Sequence, residues 1–167
     1  MSVTTARGFV ASGVAAGIRR RDRTDLAIVR SLPHATGCAM FTRNRVQAAC
    51  LQVTREHLAL ADPQAVVVNS GVANAGTGER GKLDALATAA EAGRLLALDA
   101  EEVLVLSTGV IGPRVPLHRL LPGLEPAVAA LGPDGGGAAA EAIMTTDTRP
   151  ISGSTPGGST RTSSLPA

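Results

Sequence analysis

Val103-Leu104-Val105-Leu106-Ser107-Thr108-Gly109-Val110-Ile111-Gly112 passes from an unbroken apolar run to a polar, glycine-bearing stretch. Its first four residues read as a short buried strand, and Gly109, Gly112 and Pro113 after them call for a turn. A strand that runs out in this way places the Thr108 hydroxyl beside the backbone N–H of Gly109. Gly109 has no Cβ, so an atom of a bound molecule can approach that N–H closely. Paired donors held ready before reaction stabilise the negative charge that develops during acyl transfer. An ordinary polar turn is built from the same residue types. The rest of the chain has to decide between the two.

Working outward, Ala65-Val66-Val67-Val68 is the clearest buried strand, β-branched and bounded by Pro63 and Gly71. A long helix is expected over residues 82–98, where Leu83, Leu86, Ala90, Leu95 and Leu96 approximate a helical stripe. A second helical region covers residues 117–131, interrupted by Pro122 and Pro126. Gly135-Gly136-Gly137 then links into a short helix over residues 138–144. Toward the N-terminus, residues 10–18 and 25–30 read as a strand pair around Arg19-Arg20-Arg21 and Arg23, a cluster broken by Asp22 and suited to a solvated turn. Residues 38–41 and 51–53 are further strand candidates, with Thr54 as cap of a short helix through Leu60. Strands and helices interleave throughout, which implies a layered α/β domain. The pattern alone leaves parallel and mixed sheets both open.

The chain has 167 residues, enough for one domain with a real core, and is 44% hydrophobic with 18% charged residues. Two Phe, no Tyr and no Trp leave no stacking platforms for single-stranded nucleic acid, and a net charge of +2 does not argue for a polyanion partner. No nucleic-acid partner is therefore expected. Cys38 and Cys50 make no CxxC motif and are expected as reduced, buried thiols. The first residues show no basic-then-apolar leader pattern, and no apolar run approaches the roughly 20 residues of a membrane span. A soluble, cytoplasmic protein without membrane attachment is the expectation. From Ile151 the composition turns to Ser, Thr, Gly and Pro, so the domain is expected over residues 1–150 with a disordered tail over 151–167.

Several other features admit plain structural readings. The loop Asn69-Ser70-Gly71-Val72-Ala73-Asn74-Ala75-Gly76-Thr77-Gly78 could bring two amides and small residues to a ligand, or could be turn vocabulary. Residues 76–82 fit G-x-x-x-x-G-K, but Leu83 stands where a P-loop needs a Ser or Thr for magnesium, and the preceding strand ends too early. His34, His57 and His118 lack partners at ligand spacing and read as surface or packing residues, so no metal site is expected. Glu101-Glu102 reads as a solvated loop, and Asp147 among Thr145, Thr146 and Thr148 as a hydroxyl cluster at a helix end.

In order, these pieces resemble the ornithine acetyltransferase (ArgJ) family, the bifunctional glutamate N-acetyltransferases of arginine biosynthesis. The resemblance runs over residues 8–150. Its landmarks are Gly13-Val14-Ala15-Ala16-Gly17-Ile18, Phe41-Thr42-Arg43-Asn44, Val67-Val68-Asn69-Ser70-Gly71, Ala73-Asn74-Ala75, Ser107-Thr108-Gly109-Val110-Ile111-Gly112 and Ala142-Ile143-Met144-Thr145-Thr146-Asp147-Thr148. Each is weak singly, and six in one order are specific.

The resemblance implies a layered α/β fold with a mixed sheet, of ornithine-acetyltransferase type and present as an incomplete domain. Members of this family cleave themselves between an Ala and a Thr and use the new N-terminal Thr as nucleophile. By resemblance, Thr108 and Gly109 match the catalytic, oxyanion-stabilising pair, and Thr145 matches a substrate-contacting threonine. The implied reaction is ping-pong transfer of acetyl from N-acetylornithine to glutamate, with acetyl-CoA as an alternative donor substrate and no cofactor.

The chain changes character where the family continues into its substrate-binding Lys, cleavage site and nucleophilic Thr. Val72 stands where Asn is common in the family, and Gly76 where Cys is common. The expectation is an N-terminal, α-chain-like portion that is inactive alone and forms a hetero-oligomer with a β-chain-like polypeptide if one exists. The alternative is a truncated, non-catalytic binding or assembly protein that keeps the fold.

Overall fold

A computed structural model describes residues 2–19 and 23–147 of the chain. The centre of the arginine-rich turn (Arg20, Arg21, Asp22), Thr148 and the tail over residues 151–167 lie outside the described residues. Four strands, β1 (Phe9–Val14), β2 (Leu26–Ser31), β3 (Ala65–Val72) and β4 (Val103–Val110), form one sheet in the order β1-β2-β3-β4. Four helices accompany them: α1 (Ala49–Leu60), α2 (Gly78–Leu96), α3 (Leu117–Ala129) and α4 (Gly136–Ala142). The fold is α/β, as expected from the interleaved pattern.

The sheet is mixed. β1 pairs antiparallel with β2, β2 antiparallel with β3, and β3 parallel with β4. Connection length explains the change of sense. The 19 residues of α2 span about 28 Å at 1.5 Å per residue, long enough to carry the chain back to the start of β3 before β4 begins.

Alternation along the strands sorts side chains to two faces. On one face Leu26, Ile28, Val67, Val103 and Val105 join residues of α1, α2 and α3 in the main core. On the other, Ala11 and Ala27 meet Ala139 and Ala142 of α4 in a small second cluster. Four alanines at that contact let α4 lie close against β1 and β2.

Some expected elements differ. Residues 51–53 are not a strand, and Thr54 is not a cap; both lie inside α1. The buried residues of α1 are Ala49, Cys50, Val53, Thr54 and His57, a helical stripe completed by two polar types. Thr54 and His57 are buried because they serve β4. Thr54 Oγ1 donates to the Val105 carbonyl at 2.9 Å and accepts from the Val105 N–H at 3.3 Å, and His57 Nδ1 lies 2.8 Å from the Val103 carbonyl.

Residues 38–41 are irregular, with Met40 fully exposed. The Phe41 ring is covered by the Arg55 guanidinium, 4.6 Å from its centroid. Cys50 is buried as expected, but Cys38 is exposed. Residues 15–18 leave β1, which ends at Val14.

The stripe on α2 is also displaced. Its buried face is Gly81, Asp84, Ala85, Thr88, Ala89, Ala92, Gly93 and Leu96, while Leu83 and Ala90 face solvent. Small residues face the core because α1 and α3 both pack on this helix. α3 runs unbroken through Pro122 and Pro126. Both prolines are exposed, four residues apart on the solvent face, so the His118 and Pro122 carbonyls that lose helical donors can be solvated. α4 begins within the glycine run, at Gly136.

Candidate active site

The site is built where β3 and β4 end together. The strands stay paired through Ser70↔Thr108, Gly71↔Gly109 and Val72↔Val110, so Ser107, Thr108 and Gly109 belong to β4 rather than to a turn. The chain turns only after Val110, at Ile111, Gly112 and Pro113. Two glycines face each other across the end of the ladder, Gly71 at φ 109° and Gly109 at φ 135°. Any Cβ on Gly109 would collide with the Gly71 backbone.

Strand parity orients the Gly109 N–H. Val103 and Val105 turn their backbone groups away from β3 toward α1. The Val110 carbonyl instead points to the β3 side, where it accepts from the Ala73 N–H at 2.9 Å. Alternation therefore puts the N–H of Gly109 on the open edge of β4, outside the sheet ladder.

A cleft of about 790 Å³ opens here, lined among others by Ile18, Arg19, Gly71, Thr108, Gly109 and Thr145. The three residues singled out in the sequence, Thr108, Gly109 and Thr145, thus line one cavity. Thr145 follows α4 in a strap over residues 143–147. Its N–H donates to Asp147 Oδ2 at 3.3 Å, and its carbonyl accepts from Arg19 Nη2 at 3.1 Å. Arg19 Nη1 donates to the Met144 carbonyl at 2.6 Å. Pro113 lies on the loop after β4, which Arg114 anchors to α2 through Nε to the buried Asp84 carboxylate at 3.0 Å. That carboxylate holds the Arg114 guanidinium above its ordinary pKa by hydrogen bonding and by charge.

The two loop amides are occupied inside the protein. Asn69 donates from Nδ2 to the Val72 carbonyl at 3.0 Å and accepts from Ser107 Oγ at 2.6 Å, tying β3 to β4 directly below Thr108. Asn74, held at φ 50°, donates to the Gly81 carbonyl at 2.9 Å and accepts from Thr77 Oγ1 at 2.9 Å. Both are buried, so the loop uses them to fix its own shape. Lys82 lies inside α2 and pairs with Glu56 at 2.7 Å, which leaves no phosphate cradle at residues 76–82. His57 is a packing residue, whereas His34 and His118 are exposed. Among the described residues no group of three His, Cys, Asp or Glu is placed to hold a metal ion.

Two site residues were not singled out in the sequence. The sequence groups Arg19 with its neighbours in a solvated turn, yet its side chain crosses to the strap beyond α4. Asp25 is fully buried and accepts from the Ala16 N–H at 2.7 Å and the Arg19 N–H at 2.8 Å, closing the segment that presents Ile18 and Arg19. A lone acid between an arginine run and an apolar strand was the available signal.

The ArgJ family model matches residues 10–157. The chain belongs to the ArgJ family. It is 50% identical to the arginine biosynthesis bifunctional protein ArgJ of Streptomyces avermitilis over 89% of this chain and 39% of that protein. With the ArgJ protein of Parasynechococcus marenigrum the identity is 46% over 87% of this chain and 36% of the relative. The chain therefore spans less than two fifths of the curated ArgJ relatives.

Among solved structures, ornithine acetyltransferase from Mycobacterium tuberculosis, crystallised with ornithine, superposes with a TM-score of 0.86 at 42% identity, covering 89% of this chain and 81% of that one. ArgJ from Bacillus halodurans gives 0.82 at 40% identity, covering 89% and 78%. The family fold is therefore present here as a portion of what ArgJ relatives carry. No helix among the described residues is long and apolar enough to cross a membrane.

Proposed function

We propose that this chain is the N-terminal part of a cytoplasmic ArgJ-type acyltransferase that moves acetyl from N-acetylornithine, or from acetyl-CoA, to glutamate. The observation that carries the reading is the convergence of Thr108, Gly109 and Thr145 on one cleft from separate parts of the chain. In this reading the Thr108 hydroxyl and Gly109 N–H donate to the acetyl carbonyl oxygen as it becomes an oxyanion. Thr145 contacts the substrate from the facing strap. A threonine nucleophile from a β-chain-like polypeptide attacks the carbonyl carbon and gives up its hydroxyl proton, the C–N bond to ornithine breaks, and the departing amine takes that proton. Glutamate's amino group then accepts the acetyl group from the threonine.

This chain contributes oxyanion donors and substrate contacts, and it is inactive without the half that carries the nucleophile. The active species is then a hetero-oligomer.

The test is acetyl transfer from N-acetylornithine to glutamate, measured for this chain alone and with a polypeptide carrying the remainder of an ArgJ relative. Turnover is expected only in the mixture. Turnover by the chain alone overturns the missing-nucleophile account, and none in either case favours a non-catalytic binding or assembly protein. In the active mixture, Thr108→Ala is expected to lower kcat about 100-fold or more while changing KM little, since the donor acts on charge formed in the transition state.

A further inference from the structure

We infer that Arg19 is a positioning residue, a guanidinium clamp that sets the strap bearing Thr145 opposite Thr108 and Gly109. Three independent features converge on this residue. The buried Asp25 carboxylate accepts from its backbone N–H at 2.8 Å. Its stem occupies the space that the missing Cβ of Gly71 leaves, where an added carbon would come within 2.7 Å of Arg19 Cγ. Its guanidinium forks onto two successive carbonyls, Met144 at 2.6 Å and Thr145 at 3.1 Å.

The fork sets where the strap lies across the cleft. The 143–147 strap is short and follows a seven-residue helix, and its own hydrogen bonds are local, from the Ile143 and Met144 N–H groups back to the Ala139 and Glu141 carbonyls at 3.2 Å and from the Thr145 N–H to Asp147. The closest of them to the cleft is the 3.3 Å contact from the Thr145 N–H to Asp147. Two charge-assisted bonds to adjacent carbonyls fix both the position and the rotation of that backbone. A lysine presents one compact charge and cannot hold two carbonyls in a plane. Arg19 thereby joins the β3–β4 end of the cleft, through Gly71, to the strap that forms its other wall.

The inference rests on the proposed substrate contact of Thr145, and its test separates the two. Amide hydrogen exchange over residues 143–147 and ornithine affinity by calorimetric titration are measured for the whole chain, Arg19→Lys, Arg19→Gln and Arg19→Ala. Arg19→Gln keeps the stem over Gly71, so folding is preserved even if Arg19→Ala is unstable. Both Gln and Ala variants are expected to speed exchange in the strap about tenfold without changing exchange in β3, and to weaken ornithine binding about tenfold, with Lys intermediate. Unchanged strap exchange overturns the clamp. Faster exchange with unchanged ornithine affinity overturns the positioning role. If the unaltered chain binds no ornithine, the titration is made in the mixture with the remaining half, where absence of binding overturns the functional reading, and the clamp stands or falls on the exchange measurement by itself.

Discussion

Gly109 sits where backbone and site requirements coincide. At φ 135° and packed on the Gly71 backbone, it has no room for a side chain. Gly109→Ala is expected to lower the unfolding free energy by about 2–3 kcal/mol, read from urea denaturation, because strain and collision add. An unchanged urea midpoint would show that the β3–β4 end can spread to admit a methyl group. The two cysteines should separate cleanly. Burial pushes the Cys50 thiol above its ordinary 9.0, outweighing the lowering contact with Ser107, whereas Cys38 is exposed. A thiol reagent at neutral pH should therefore modify Cys38 rapidly and Cys50 only on unfolding. The sign for stability follows: above pH 9.0 the unfolded chain gives up the Cys50 proton first, so this residue's contribution is intact below that pH and declines as pH rises through the folded value. Equal labelling of both thiols in the folded chain would contradict the buried position of Cys50. At this scale Thr108 and Gly109 were legible by type, since a hydroxyl next to a glycine after an apolar run is a local pattern. Arg19 was not, because its partners lie beyond α4 and no local pattern points to them.

At the scale of elements, α1 and β4 depend on each other through Thr54 and His57. Thr54→Val keeps the volume but leaves the Val105 carbonyl and N–H without their partner inside the protein. A loss of about 1–3 kcal/mol in urea unfolding is expected, and an unchanged midpoint would mean that water reaches the vacated position. These buried polar residues also explain why residues 51–53 are helix where the sequence suggests a strand. Leu51-Gln52-Val53 alternates like a strand over three residues, and the helical stripe emerges only when Thr54 and His57 count as inward residues. Period alone also misplaced the inner face of α2, where alanine, glycine and threonine pack inward and Leu83 does not. By contrast β3 was plain from its β-branched run, and α4 and α3 were found in place. The prolines of α3 were read as breaks because sequence does not show which helix face meets water.

For the whole molecule, the proposed division at residue 150 has a direct consequence. Removing residues 151–167 is expected to leave the thermal unfolding midpoint within about a degree of the full chain, since their Ser, Thr, Gly and Pro composition offers little apolar surface to bury. A drop of several degrees would show that the tail packs on the domain. The sequence by itself determined the α/β class, the strands β3 and β4, the long helix between them and the family, because these follow from local apolar runs and from ordered short motifs. The tertiary structure alone decided three things. It set the sense of each strand pair in the sheet, which is mixed as the resemblance implied, with β4 parallel to β3. It kept Ser107, Thr108 and Gly109 inside the ladder, because Asn69, Ser70 and Gly71 remain paired with them to the end. It also set the far wall of the cleft, by carrying Thr145 back over the sheet beyond α4, where its carbonyl accepts from Arg19. The physical reason is the same for all three: each depends on which backbone donors and acceptors meet across long sequence separations, and side-chain periodicity carries no record of that.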